Sequence, residues 1–421
     1  MNILIRQAKV ISESSPHHQK IVDLLIESGI ITEIKKNITA RQGTRVIEAD
    51  GLCISTGWVD LQAVACDPGF EHKEDLDSFV KCAASGGFTT VCVHNYNQPA
   101  LHNKAQIEYV VNKTKNKVVD VLPVGTVSME AKGKDMAEMY DMKRSGAVAF
   151  GDHKHVIQDS GMLARALQYT NNIGSFVIAH CNDNHLVQGW QMNEGEMSTS
   201  LGLKGLPALA EELMIQRSIS VLEYTGGKLH VPTLSTRAGV ELIKKAKAQG
   251  LNVTCGVAAA SLLLDDSVLK DFDTNYKLNP PLRTRRDVQA LRNGVDNGTI
   301  DAVVSDHWPQ DVECKELEFD LADFGMINLQ TAFSCAMEAM GDKNLDALIQ
   351  ALTSGPRRVL GINEPMIKEG AAANLTIFAP AVEYVFSEKM NLSRSANSPF
   401  IGKTMTGKVL GVINGSRSSF N

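Results

Sequence analysis

Hydrophobic and polar positions change rhythm twice along the 421 residues. Residues 1–56 carry short runs of period two: NILIRQAKVI, then IVDLLIESGIITEIKKNI broken by a turn at Ser28-Gly29, then RVIEADGLCIS. Such runs predict short strands. From 58 to about 310, apolar runs alternate with stretches of helical period, the mark of repeated βα units. Eight runs occur, at 58–65, 89–95, 119–127, 147–152, 175–182, 228–235, 251–258 and 300–307. Eight units predict an α/β fold of (β/α)8 barrel type. Four runs finish in polar residues: His94-Asn95, Asp152-His153, His180-Cys181-Asn182 and Asp306-His307. The C-terminal strand ends form the functional face of such a barrel. Polar loops alone account for any one of these endings; their recurrence favours a site.

Between the fifth and sixth runs, Pro207 and the Glu211-Glu212 pair suit a helix N-terminus, and apolar spacing carries that helix to about Glu223. Beyond the barrel, LADFGMINLQTAFSCAMEAM and LDALIQALTSGPRRVLGI predict two helices, and EGAAANLTIFAP and SPFIGKTMTGKVLGVINGS return to short strands.

Composition excludes more than it assigns. The net charge of −6 and pI near 6.0 give no general affinity for nucleic acid or anionic membrane. No apolar run reaches the roughly 18 residues of a membrane span. The start, MNILIRQAKVI, lacks a signal peptide's pattern. The 8 cysteines include no CxxC pair, and Cys53, Cys92 and Cys255 sit in apolar runs, which predicts buried free thiols and a reducing cytoplasm. SGGF and YTGGK lack nucleotide-loop spacing, and no GxSxG hydrolase elbow occurs. Arg283, Arg285 and Arg286 are expected to cap or solvate the loop and helix after the seventh run, a phosphate site being the alternative.

The first run carries the most telling comparison. Gly57-Trp-Val-Asp-Leu-Gln-Ala-Val-Ala-Cys-Asp-Pro-Gly69 resembles the first barrel strand of the dihydroorotases, in the cyclic amidohydrolase branch of the amidohydrolase superfamily. That family reads G-[FW]-[IV]-D-x-H-x-H-x-R-[DE]-P-G there. Gly57, Asp60, Asp67, Pro68 and Gly69 keep the frame. Gln62 and Val64 stand where the two metal-binding histidines belong, and Cys66 where the substrate-binding arginine belongs. The resemblance extends through NEGEMSTSLGLKGLP, NPPLRTRRD, SDHWP and FGMINLQTAF, from Gly51 to the NSPFIGKTMTG end.

The resemblance implies an amidohydrolase-type barrel domain over 57–369, including C-terminal helices. It also implies a small β-domain built from both termini, 1–56 and 370–421. It implies one or two zinc ions, which polarise a cyclic amide carbonyl and supply hydroxide near neutral pH. Of the family's ligand positions, Asp152, His180 and Asp306 are retained, and Asp306 would also be the proton carrier. Gln62, Val64 and Thr233 replace the other three ligands. Asn95 and Asn279 match substrate-contacting asparagines, Gln310 replaces a histidine, and FGMINLQTAF matches a loop lying against the substrate. Cys66 cannot reproduce an arginine's bidentate fork. Zinc is therefore expected to be absent or weakly held. The leading expectation is an inactive homologue of pyrimidine biosynthesis that acts as scaffold or partner of aspartate transcarbamoylase, as inactive dihydroorotase-like chains do, and that pairs as a homodimer. One alternative is an active cyclic amidohydrolase that has rebuilt its metal site with His94, His153 or His155. Another is a module that binds a cyclic amide without turnover.

Overall fold

A computed structural model describes residues 2–421. Two eight-stranded sheets organise it. The first draws on both ends of the chain. Asn2–Val10, Ile21–Glu27, Ile30–Lys35, Arg45–Ile47 and Cys53–Thr56 come from one end, and Asn374–Val385, Thr404–Asn414 and Arg417–Phe420 from the other. The two ends meet where Cys53–Thr56 pairs antiparallel with Leu375–Phe378. Its apolar face buries Ile3, Ile5, Leu24, Ile54 and Ile377 in a core of its own.

The second sheet is parallel and forms the barrel. Its strands are β1 (Trp58–Ala63), β2 (Phe88–Val93), β3 (Asp120–Gly125), β4 (Ala149–Phe150), β5 (Val177–Ile178), β6 (Leu229–Val231), β7 (Val253–Ala258) and β8 (Ala302–Val304), neighbours in that order. The ring closes just past β8, where Ala63 bridges His307 in parallel and the Val64 N–H donates to the His307 carbonyl at 3.0 Å. The strands are shorter than the apolar runs. The residues after them bend away as site loops, with left-handed backbone at His153 (φ 52°) and Asp306 (φ 50°).

Helices begin where the sequence supplies caps. Asp75 and Ser78 form a reciprocal capping box for Leu76–Ser85, and Thr284 and Asp287 do so for Arg285–Asp296. The helix after Pro207 spans Ala208–Thr225, as its spacing predicts. The two C-terminal helix expectations need correction. In the first, only Ala332–Met340 is helical, because the residues from Phe324 to Gln330 pack as an irregular loop over the barrel mouth. The second is broken at Thr353 into Leu345–Leu352 and Ser354–Leu360. Gly355 lies so close to the Asp301 carbonyl that an added Cβ would stand 1.9 Å from its oxygen, so the break seats the chain against β8.

The two units lock together at Trp58. Its ring centroid lies 4.6 Å from that of Phe333 and 5.3 Å from that of Phe378, and its indole N–H donates to Ser55 at 2.9 Å. Contacts of this kind add about 0.5–1.5 kcal/mol each beyond the burial of area. The buried Arg357 guanidinium fixes the same corner by donating to the Gly57 carbonyl at 2.7 Å.

Candidate functional site

The site is built on the C-terminal strand ends, and β1 shows which residues are frame and which are chemistry. Asp60 accepts the backbone N–H groups of Gln62 (3.1 Å) and Ser305 (3.2 Å) and the Ser305 hydroxyl, so one carboxyl stitches β1 to the chain beyond β8. Burial lifts its pKa to about 7 against the pull of those donors. Asp67 accepts from the Tyr109 hydroxyl (2.7 Å), Lys113 Nζ (2.6 Å) and the Leu76 N–H (3.1 Å), tying the first loop to two helices. Both acids are structural. Val64 is fully buried and offers no donor atom to a site. Cys66 is buried with φ 58°, and burial pushes its thiol well up, leaving it protonated and unreactive.

Of the retained ligand positions, Asp152 and Asp306 are engaged elsewhere, and His180 keeps one ring nitrogen free. Asp152 turns toward the loop after β3: its Oδ1 accepts the N–H groups of Val127 (2.7 Å) and Ser128 (3.0 Å), and its Oδ2 accepts the Ser128 hydroxyl. Burial raises its pKa to about 6, opposed by those donors. His180 Nε2 donates to Asn279 Oδ1 at 3.1 Å, which leaves Nδ1 as a buried lone pair without a partner. Burial lowers its pKa to about 3, with the charge of Lys154 acting in the same direction. Asp306 is paired with Lys154, whose Nζ lies 2.8 Å from Oδ1 and 3.0 Å from Oδ2. The two side chains are only 5% and 15% exposed. Burial works against both charges, raising Asp306 and lowering Lys154, while each partner's charge resists the shift of the other.

Three buried imidazoles, His94, His153 and His180, lie close enough to feel the Lys154 charge, and a fourth, His230, feels the charge of His94. His94 Nε2 donates to the Leu61 carbonyl at 2.7 Å, and His153 Nδ1 lies 3.0 Å from Gln62 Nε2. The His94 and His153 rings are 5.8 Å apart, and His153 packs against Trp308. His230 Nδ1 pairs with the Thr254 hydroxyl at 2.9 Å. Burial lowers His94 to about 4 and His230 to about 3, and it drives His153 well below its ordinary value, so all are neutral near pH 7. Each keeps one buried ring nitrogen without a partner: His94 Nδ1, His153 Nε2, His180 Nδ1 and His230 Nε2. The buried hydroxyl of Thr233 is also unpartnered. His155 is exposed, yet partial burial lowers its pKa and its charge acts on His153 and His180. Among the described residues, no three His, Cys, Asp or Glu side chains are grouped to hold a metal ion.

The expected substrate contacts are partly turned to structure. Asn95 Oδ1 accepts the Leu101 N–H at 2.8 Å and shapes its own loop, and Asn279 is the partner of His180. Gln310 receives Lys73 Nζ at 2.6 Å and donates to the Phe324 carbonyl at 2.9 Å. The 324–330 loop rests on His307, whose Nδ1 accepts the Asn328 N–H at 3.1 Å. Arg283 departs from expectation. It is buried, and it donates to Ser235 Oγ, Asn193 Oδ1 and the Leu206 carbonyl, clamping the NEG segment rather than capping or solvating a surface loop. Lys154 is not among the residues the sequence pattern points to. Its one sequence signal is a lysine between two histidines, directly after an apolar strand that ends in Asp152.

A family model described as Dihydro-orotase-like matches residues 51–239. A protein named dihydroorotase from Trichlorobacter lovleyi is 37% identical over 100% of both chains. Another so named, from Acetivibrio thermocellus, is 40% identical over 92% of each. Among solved structures, L-hydantoinase (dihydropyrimidinase) from Arthrobacter aurescens superposes with a TM-score of 0.82 at 21% identity, over 99% of this chain and 95% of that one. A D-hydantoinase superposes with a TM-score of 0.81 at 23% identity, over 100% and 95%. These structural likenesses establish the shared amidohydrolase-type fold.

Proposed function

The chain belongs to the dihydroorotase family, and from that premise we propose that it is a non-catalytic member serving as a scaffold or partner of aspartate transcarbamoylase. The observation that carries this is the Lys154 ammonium on both oxygens of Asp306. A fixed cation occupies the carboxylate that the family's chemistry needs as ligand and proton carrier. The ligand positions other than His180 agree. Asp152 is saturated by the 127–128 loop, and Gln62, Val64 and Thr233 supply no anionic or imidazole ligand. A catalytic zinc site needs about three protein ligands in tight tetrahedral geometry. Gln62 is neutral and a poor zinc donor. These residues do not fit a binuclear zinc centre, so no catalytic step is assigned to them. The sharper uses of the site, proton transfer by Asp306 and contact with a cyclic amide by Asn95 and Asn279, belong to the alternative of an active cyclic amidohydrolase. The four unpartnered imidazole nitrogens favour that alternative, because displacing Lys154 would leave Asp306 among neutral histidines.

Turnover of dihydroorotate by the purified protein, with and without added zinc, decides between the two. Sedimentation of a mixture with the transcarbamoylase of the same cell then tests the partnership. No turnover together with a co-sedimenting complex is expected. Turnover at a rate ordinary for an enzyme, without a complex, would remove the proposal.

A further inference from the structure

The segment after β8, residues 311–323, reads DVECKELEFDLAD and carries six carboxylates and one lysine. That lysine, Lys315, is buried and donates to the Asp323 and Gly325 carbonyls, so its charge is turned inward. Lys277 likewise reaches under the segment to the Phe319 and Asp320 carbonyls. Asp311 faces His72 and Asp323 faces Lys73. Glu313, Glu316, Glu318 and Asp320 make no ion pair among the described residues.

Between these acids stand apolar side chains that a folded chain normally hides. Val312 is 59% exposed, Leu317 44% and Leu321 63%. Phe272 joins them at 44%, with its ring centroid 6.3 Å from that of buried Phe319. The ledge is held firmly from beneath: Phe319, Leu269 and Met192 form a small core of their own, and Thr274 donates to the Lys315 carbonyl at 2.7 Å. A groove of 340 Å³ opens beside Val312, between this segment and residues 394–397. Clustered apolar exposure rimmed by charge marks an interaction surface. Rim charge of one sign selects the partner and steers its approach.

We propose that this ledge docks a partner protein presenting a basic amphipathic segment, with apolar side chains set against Val312, Leu317 and Leu321 and lysine or arginine facing Glu313, Glu316, Glu318 and Asp320. This deepens the non-catalytic proposal, resting on it for the need of a partner and adding the face and the partner's chemistry.

The probe is a synthetic amphipathic peptide of about 18 residues, leucine and lysine at helical spacing. The control replaces every lysine with glutamate. Binding is followed by fluorescence anisotropy to the full chain, to Leu317→Ser/Leu321→Ser and to Glu313→Lys/Glu316→Lys, all checked for native circular dichroism. The wild type is expected to bind the lysine peptide and not the control. Each variant should bind about tenfold more weakly or worse, and wild-type binding should weaken as salt rises from about 0.05 to 0.5 M. Equal binding of both peptides, no binding of either, or unchanged affinity in both folded variants would overturn the docking surface. Zinc content and turnover do not depend on this ledge, so failure here leaves the non-catalytic proposal standing, and failure of that proposal is read separately.

Discussion

Replacing Lys154 with methionine removes a cation and keeps much of its bulk. Asp306 would then be a buried carboxylate whose closest counter-charge, 2.8 and 3.0 Å away, is gone. Breaking a buried pair from one side costs about 3–5 kcal/mol. Protonation sets a ceiling. Holding an Asp neutral at pH 7 when its unfolded pKa is about 3.9 costs about 1.4 kcal/mol per unit, or about 4 kcal/mol. The expected loss at pH 7 is therefore about 3–4 kcal/mol. The sign of the pH dependence follows. With its folded pKa raised above the unfolded value, Asp306 contributes stability below about pH 4, and that stability is lost as pH rises through the folded pKa. The deficit of Lys154→Met should thus shrink as pH falls from 7.5 toward 4.5. The double variant Lys154→Met/Asp306→Asn removes both charges and should return to within about 1 kcal/mol of wild type. Urea unfolding at the two pH values measures all three proteins. A loss under about 1 kcal/mol, a deficit independent of pH, or a double variant no better than the single would refute the pairing as the source of the site's charge balance.

The remaining predictions concern the engaged acids and imidazoles. Asp152→Asn should cost about 1–3 kcal/mol through lost hydrogen bonds to Val127 and Ser128, leaving metal content unchanged, as denaturant midpoints and elemental analysis would register. Because Asp152 has its pKa raised to about 6, its contribution is present at pH 4 and lost as pH rises through 6, so the variant's deficit should be larger at pH 4.5 than at 7.5. His94, lowered to about 4, contributes stability above about pH 6.5 that is lost as pH falls toward 4. His94→Gln, which takes up no proton, should therefore gain on wild type by about 3 kcal/mol between pH 7 and 4, and parallel pH curves would contradict this. Asp67→Asn should weaken the first loop by about 2–3 kcal/mol, since Lys113 and the Tyr109 hydroxyl lose a charged acceptor, with a thermal melt as the readout.

Period and punctuation in the sequence made the barrel legible: eight apolar runs, the helix that starts after Pro207, and strand ends marked by polar residues. Period could not show that the 324–330 stretch is a loop. Its apolar residues pack against the barrel mouth rather than along a helix face. Nor could composition locate the break at Thr353, which close approach of Gly355 to the Asp301 carbonyl imposes. At the site, the sequence alone shows that Gln62, Val64, Cys66 and Thr233 carry neither an imidazole nor a guanidinium. The states of Asp152 and Asp306 could not, because each depends on which distant residue bonds it. Lys154 is two residues from Asp152 in sequence, yet it neutralises an acid 152 positions away. Arg283 likewise reads in sequence as a loop charge, yet in the fold it donates to Ser235, Asn193 and the Leu206 carbonyl in the interior.

The central claim is that a lysine, and not a metal, balances the strand-eight aspartate. Elemental analysis of the purified protein, incubated with zinc and then freed of excess, tests it most directly. Less than about 0.1 zinc per chain is expected, because three tight ligands are lacking. One or two tightly held ions per chain would mean that Lys154 is displaced and that the imidazoles have rebuilt a metal site, which would contradict it.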